Sequence, residues 1–418
     1  MAKTIIIGAG ASGLMAALSA SKCGNEVIVL EHRDNPGRKL LITGNGKCNL
    51  GNMVYNRDFF HCQEKEFPYY ALEKINMEFL LEFFSYYGLH VKVKNGYLYP
   101  MSECASDIVK LLVNSCEEQG VLFMYNAEVK KIIPGENSIA VEYIKDGVRT
   151  KIQGDNVIVA AGGRAYSKTG SDGSGYYFAK TLGHNVIEPL PALTGLIVED
   201  ENIKKMAGVR TDVCIRAYVK TYNDEKLIGS DNGQIQITAY GLSGIPAFQL
   251  SSVIARNLHK NKSVYCTVDF LPDISTEEFK KYIYEICKRF PERSAYNLFL
   301  TILNDKISKE ILHCSQIKKE LKFKDIINDH SRIDKIINNT KSMKYEIKGV
   351  NDFDNAQVCS GGVDTNEINN KTFESKIVHD VYFTGELLDV DGICGGYNLY
   401  WAWASGYLAG ISCAEGKK

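Results

Sequence analysis

Six consecutive residues near the N-terminus, Gly8-Ala9-Gly10-Ala11-Ser12-Gly13, have the types and spacing to hold a diphosphate. A carboxylate, Glu31, stands 18 residues beyond Gly13, with His32 beside it. In such a turn Gly8 permits the sharp change of direction, Gly10 lets the backbone approach a pyrophosphate with no Cβ in the way, and Gly13 allows a helix to pack closely on a strand. The N–H groups of Ala11, Ser12 and Gly13 then face the phosphates with the partial positive charge of a helix N-terminus. Glu31 can accept both hydroxyls of a ribose, and its charge disfavours a 2′-phosphate.

The elements that must position these groups flank them. Thr4–Ile7 is β-branched without alternation, as expected of a short buried strand. Leu14–Lys22 has helix-forming composition and stops at Gly24-Asn25; Glu26–Leu30 reads as a second strand ending at Glu31. The same stretch imitates a signal peptide, because Ile5–Ala20 is a charge-free run of 16 residues behind Lys3. Such a run is too short to span a bilayer comfortably, and its glycines at fixed spacing fit the dinucleotide turn better.

Three further segments could reach along an extended ligand. Gly37–Asn49 combines Arg38 and Lys39 with Thr43, Gly44, Asn45, Gly46, Cys48 and Asn49, so both cations and backbone amides are available. Asn156–Ala160 reads as a buried strand running into Ala161-Gly162-Gly163. Between these segments lie an amphipathic helix over Ser106–Gln119, strands at Val121–Tyr125 and Ala127–Ile133, and a hairpin turning at Asp146-Gly147. This order resembles the FAD domains of the glutathione-reductase superfamily, a resemblance that implies FAD and would place Val129 beside the adenine. Val381–Glu386 resembles the strand-plus-Gly-acid motif that holds the ribityl chain there, through Gly385 and Glu386, with Asp389 just beyond. Gly395-Gly396-Tyr397-Asn398 then opens an apolar helix whose N-terminus is suited to stabilise negative charge on the N1–O2 edge of a reduced flavin.

Composition removes several alternatives. The chain has 418 residues with 49 basic and 50 acidic side chains, net -1, so net charge gives no reason to expect nucleic acid or an anionic membrane. Its 12 cysteines form no CxxC, and His61–Cys62 and His313–Cys314 are adjacent pairs, so no metal site is expected. Reduced thiols in a cytoplasmic protein are the expectation. No second GxGxxG follows a strand, since Gly170–Gly175 has the wrong spacing. A separate nicotinamide domain and disulfide-reductase chemistry are therefore not expected.

Longer motifs point to a family. GRKLLITGNGKCN (37–49), VAAGGRAYSKTGSDGSGYYFAKTLGH (159–184), YGLSG (240–244), SGGVDTNEI (360–368) and YFTGELLDVDGICGGYNLYWAWASGYLAG (382–410) resemble the bacterial flavoproteins of the YhiN type. Members of that family are often labelled aminoacetone oxidase family FAD-binding enzymes, and the family includes a bile-acid 4,6-reductase. The chain departs from some members at Ala239, where they carry a histidine before the residue matching Tyr240.

The resemblance implies an α/β architecture: a Rossmann-type FAD-binding domain (1–189 and 351–418), an inserted β-rich domain (190–274 and 342–350) and a nested helical domain (275–341). The residues agree. Thr211–Thr221, Lys226–Ser230 and Gln234–Tyr240 read as strands with breaks at Asn223-Asp224 and Asp231-Asn232-Gly233, Ser243–Leu258 reads as a helix, and Ser275–Lys341 is helical with a break at Pro291. Residues 275–350 carry 16 basic against 11 acidic side chains, read as a solvated helical surface.

The chemistry implied is reduction of an activated C=C bond, enone-like and of steroid or bile-acid type, with NAD(P)H as transient donor. Oxidation of a small amine or aminoketone is the first alternative, and a non-catalytic or RNA-modification flavoprotein the second. Candidate pocket residues are Cys48, Arg164, Tyr166, Tyr240 and Tyr397, the tyrosines as proton donors because their hydroxyls keep the proton at neutral pH. A small-molecule substrate is the expected partner, with no nucleic acid and no membrane.

Overall fold

A computed structural model describes residues 2–221 and 224–415. Asn223, where one strand break is expected, lies outside the described residues. The chain divides into two compact units: one runs from the N-terminus to Leu190 and resumes at Gln357, and the other is Pro191–Ala356.

The first unit is built on a parallel sheet of five strands, in the spatial order Val381–Phe383, Asn156–Val159, Lys3–Ile7, Glu26–Leu30, Leu122–Met124. Ile5 pairs with Ile28 on one side and Val157 on the other, and Ile158 pairs with Tyr382. Strands buried on both faces need apolar residues at every position, which is why Ile5, Ile6 and Ile7 run without alternation. The expected hairpin forms as an antiparallel meander of Glu128–Pro134, Ile139–Lys145 and Val148–Gly154.

One face of the sheet carries two helices in backbone contact. Ala11–Lys22 is buried from Ser12 to Ala20, and the C-terminal helix Tyr397–Glu415 is buried along most of its length. A Cβ at Gly406 would collide with the Ser12 carbonyl, and one at Gly410 with the Ala16 carbonyl and Ser19 Oγ. Small residues on both helices therefore set the approach, and a helix enclosed on every side has no polar stripe to display. This packing, with the sheet behind it, accounts for the charge-free run Ile5–Ala20. Among the described residues no helix is long and apolar enough to cross a membrane, and none of the twelve cysteines is in a disulfide.

The second unit closes an antiparallel barrel from six strands: Leu196–Val198, Gly241–Gly244, Glu225–Ile237, Arg210–Lys220, Val264–Asp269 and Met343–Val350. The expected break at Asp231-Asn232-Gly233 is absent. These residues pair in register with Ile215, Cys214 and Val213, so Glu225–Ile237 is one strand. Its polar, turn-prone residues alternate with inward positions on a partly exposed ribbon, and cross-strand pairing overrides their turn preference.

A helix over Ile245–His259 matches its expected limits closely. The helices Thr276–Arg289, Asp305–Cys314, Phe323–Ile327 and His330–Lys341 follow, the first opened by a reciprocal Ser275–Glu278 capping box. Their apolar faces (Phe279, Ile283, Ile311, Ile336) join Ile215, Cys266 and Ile347 of the barrel in one continuous core. Barrel and helices thus fold as one unit, a coarser division than the three domains expected from sequence.

Candidate active site

The N-terminal turn has the geometry its glycines require. Gly8 has φ +101°, and its N–H donates to the Leu30 carbonyl at 2.8 Å, tying the turn to the neighbouring strand. A Cβ at Gly8 would lie 2.6 Å from the Ala160 carbonyl oxygen, and one at Gly13 would collide with the Gly8 carbonyl itself. Gly10 differs from both. Its φ is an ordinary -82°, and nothing lies within 4 Å of the position a Cβ would take. No side chain caps the helix that begins at Ala11, so its first N–H groups face open space in front of Gly10.

Glu31 is 8% exposed, and both of its oxygens are held by the backbone. Oε2 accepts from Ala9 N–H at 2.8 Å and Oε1 from Arg33 N–H at 2.9 Å. Each keeps lone pairs for the hydroxyls of a diol. His32 Nδ1 lies 3.5 Å from Oε1. The Ala127 N–H donates to the Glu31 carbonyl, which brings the strand carrying buried Val129 alongside.

Three turns distant in sequence converge at the carboxyl ends of three adjacent strands, where ligands of open parallel sheets sit. Gly8 meets Ala160 at the start of the Ala161–Gly163 turn, and Gly162 has φ +70°. A Cβ at Gly163 would lie 2.8 Å from Glu386 Oε1 and 3.0 Å from Cys359 Sγ. Gly385, φ +69°, closes on the first helix, where a Cβ would lie 2.6 Å from Ser12 Oγ; its N–H donates to Ser405 and its carbonyl accepts from the Trp401 indole. Lys39 Nζ is 2.6 Å from Glu386 Oε2, while Oε1 accepts from Cys359 N–H at 3.0 Å. Arg38 instead pairs with Asp34 at 3.7 Å.

The Thr43–Cys48 loop winds through left-handed backbone at Gly44, Asn45, Gly46 and Cys48, and Thr43 Oγ1 donates to the Leu40 carbonyl. Cys48 itself is fully buried, and burial pushes its thiol up to about 12, the state of an inert packing group. Asn49 lies at the start of the C-terminal helix, where Gly395 and Gly396 have φ +132° and +96°. A Cβ at Gly396 would lie 2.9 Å from Asn49 Oδ1. Among the described residues, His32 Nε2, Asn49 Oδ1 and Thr384 Oγ1 are buried without a hydrogen-bond partner. Orphaned polar atoms beside glycine turns with an open, uncapped helix start fit an absent polar ligand of dinucleotide length.

Other expected contacts are spent within the fold. Asn398 accepts from Gly392 N–H at 2.8 Å and donates to its carbonyl at 2.7 Å, so its amide shapes the turn before the helix. Asp389 is fully buried and accepts from Gln63 N–H at 3.0 Å. The Tyr397 hydroxyl donates to the Val54 carbonyl at 2.9 Å, and its ring packs on Phe59 and Phe60. Tyr166 is exposed at φ +61°, next to Arg164, whose N–H donates to Cys359 Sγ at 3.1 Å. Tyr240 belongs to the second unit, where its hydroxyl lies 2.8 Å from the position of a Gly195 Cβ.

Cys359 and Tyr176 complete the surroundings of Gly163 and Glu386, yet no sequence spacing announces them. Burial first, then Glu386, pushes the Cys359 thiol up to about 12; burial likewise holds the Tyr176 hydroxyl well above its ordinary value. They come from the strand Val358–Val363 and the helix Ser174–Thr181, Cys359 beside the SGGVDTNEI motif and Tyr176 inside the 159–184 motif. Their places beside and within those two motifs are the available signal.

Similarity to known proteins agrees with this geometry. The chain is 38% identical over 412 residues to the 3-dehydro-bile acid delta(4,6)-reductase of Clostridium scindens, covering 98% of both chains. It is 30% identical over 419 residues to the ribosomal RNA dihydrouridine synthase of Haemophilus influenzae, covering 99% of this chain and 98% of that one. Among solved structures, a flavocytochrome c3 fumarate reductase in its open conformation shares the fold at a TM-score of 0.50, with 15% identity over 99% of this chain and 78% of that chain. A model of the HI0933-like protein Rossmann domain matches residues 2–412, so the chain belongs to that family and is an FAD-dependent oxidoreductase.

Proposed function

We propose that the protein reduces a C=C bond conjugated to a carbonyl group. The supporting observation is the reductase relative, alike over 98% of both chains, together with the cradle built around Gly10. Bound FAD supplies hydride from N5 to the β-carbon of such a bond, with NAD(P)H as transient donor. The chain's own residues do the rest. The uncapped N–H groups after Gly10 take the diphosphate and the Glu31 oxygens take the ribose hydroxyls. Lys39, held 2.6 Å from Glu386, would offer its cation to the ribityl chain. The N-terminus of the Tyr397–Glu415 helix, opened by Gly395-Gly396, opposes negative charge at the pyrimidine edge.

A second substrate is favoured by the dihydrouridine synthase relative. Dihydrouridine differs from uridine by two hydrogens across C5–C6, a bond conjugated to the C4 carbonyl, so both relatives' names describe one kind of reduction on different scaffolds. The local excess of 16 basic over 11 acidic residues across 275–350 suits the larger, anionic scaffold, although the whole chain is near neutral.

Anaerobic titration with NADH and then NADPH tests the redox half: bleaching of the flavin by either supports the reductase, and a flavin that neither reduces overturns the nicotinamide-dependent reading. The reduced enzyme is then mixed separately with a 3-oxo-4,6-diene bile acid and with unmodified ribosomal RNA. Reoxidation by one identifies the scaffold, and reoxidation by neither removes both.

A further inference from the structure

Sequence spacing sets His313 and Cys314 aside as adjacent residues, but folding brings a third ligand type to them. On the helix Asp305–Cys314, Glu310 stands one turn before both. Its Oε1 is 3.3 Å from His313 Nδ1 and 3.4 Å from Cys314 Sγ, and the three ligand atoms lie within 4.8 Å of one another. Around a tetrahedral zinc ion with ordinary bond lengths, an oxygen–nitrogen edge measures about 3.4 Å and an oxygen–sulfur edge about 3.6 Å. Two of the three edges thus already stand near those of one tetrahedral face, and the third atom pair lies within 4.8 Å.

The electrostatics ask for a cation at this point. The Glu310 side chain is 4% exposed, and among the described residues its polar partners are a thiol and an imidazole, neither a permanent charge. A buried carboxylate without a cation is uncommon, because losing its hydration is uncompensated. The cluster also lies in the last turn of its helix, at the negative end of the helix dipole.

We infer that Glu310, His313 and Cys314 bind one Zn²⁺, with the fourth position open to water. On binding, the Cys314 proton leaves to solvent as the sulfur–zinc bond forms. The neutral imidazole moves its proton from Nδ1 to Nε2, so Nδ1 offers its lone pair. One proton is released per zinc, with no change of oxidation state.

The test uses the full-length flavin-loaded protein, equilibrated with Zn²⁺, freed of loose metal and assayed by elemental analysis. One zinc per chain is expected, and no retained zinc overturns the site. His313→Ala, at a side chain 60% exposed, tests the ligand set without disturbing the core. That variant and Cys314→Ser should each weaken zinc at least about hundredfold, beyond the loss typical of an outer-shell partner, with flavin content and circular dichroism unchanged. Co²⁺ in place of zinc should give tetrahedral d–d bands at wavelengths beyond the flavin's absorption. Zinc retained equally by His313→Ala and wild type, or cobalt bands unchanged in Cys314→Ser, would refute the assignment.

Discussion

The two units use glycine at close quarters for different ends. In the barrel, a Cβ at Gly241 would collide with the Leu196 carbonyl, and one at Gly244 would lie 2.7 Å from the Gln234 carbonyl oxygen; both clashes are with paired strands. Those glycines close a barrel and need no ligand to explain them. In the parallel-sheet unit, Gly8, Gly13, Gly163 and Gly385 are equally crowded, but they crowd around one rim of the sheet. Among the described glycines, Gly10 alone has neither a positive φ nor any atom within 4 Å of its would-be Cβ. A glycine that neither backbone conformation nor packing demands is the one whose neighbour is not made of protein.

That contrast can be broken most forcefully at Gly13. Gly13→Ala should lose more than about 3 kcal/mol, because the added methyl meets a backbone carbonyl that the strand and helix both fix. A urea midpoint near that of wild type would show the turn to be more pliable than drawn. Gly10→Val, three residues away, should change stability by no more than about 1 kcal/mol. It should nonetheless leave the purified protein colourless, since the side chain fills the pyrophosphate path. A yellow, fully loaded variant would remove the N-terminal cradle from the cofactor site.

Glu31→Ala comes next in size. It strands the Ala9 and Arg33 amides, at about 1–3 kcal/mol each when unsatisfied, and removes the acceptor for a ribose. FAD binding should fall about tenfold or more while FMN, which lacks that ribose, is affected far less. Equal weakening of both would reduce Glu31 to a backbone brace.

Most of the nucleotide-binding unit was legible because its constraints are local. A strand, a glycine turn, a helix and an acid follow one another within Thr4–Glu31, and each limits its neighbour. The convergence of Gly163, Glu386 and Cys359 was legible only in part, since Gly163 and Glu386 follow two different strands, Cys359 lies on a third, and only their separate motifs could be seen. The barrel misled at Asp231-Asn232-Gly233, where turn-forming residues sit in a continuous strand because eleven residues of Arg210–Lys220 pair along it. The three domains read from sequence are finer than the two compact units for a similar reason. Amphipathic helices such as Thr276–Arg289 announce an apolar face but not what it will cover, and here it covers the barrel.

The smallest effect concerns a buried histidine. In the first unit His184 is buried, with Nδ1 3.0 Å from Glu367 and Nε2 2.8 Å from Ser375. Burial lowers its pKa below the usual histidine range, and Glu367 opposes this only in part. The unfolded chain therefore binds the proton at a higher pH than the folded one. Stability from this residue is fully present above about pH 6.5 and is lost as pH falls through the lower, folded pKa. His184→Gln keeps a polar group beside Ser375 and removes the titration. Its urea midpoint should lie slightly below that of wild type at pH 7.5, and the gap should narrow toward pH 5.5. A gap that stays constant would mean that burial and Glu367 cancel, and one that widens on acidification would mean that the ion pair rather than burial decides the imidazole's state.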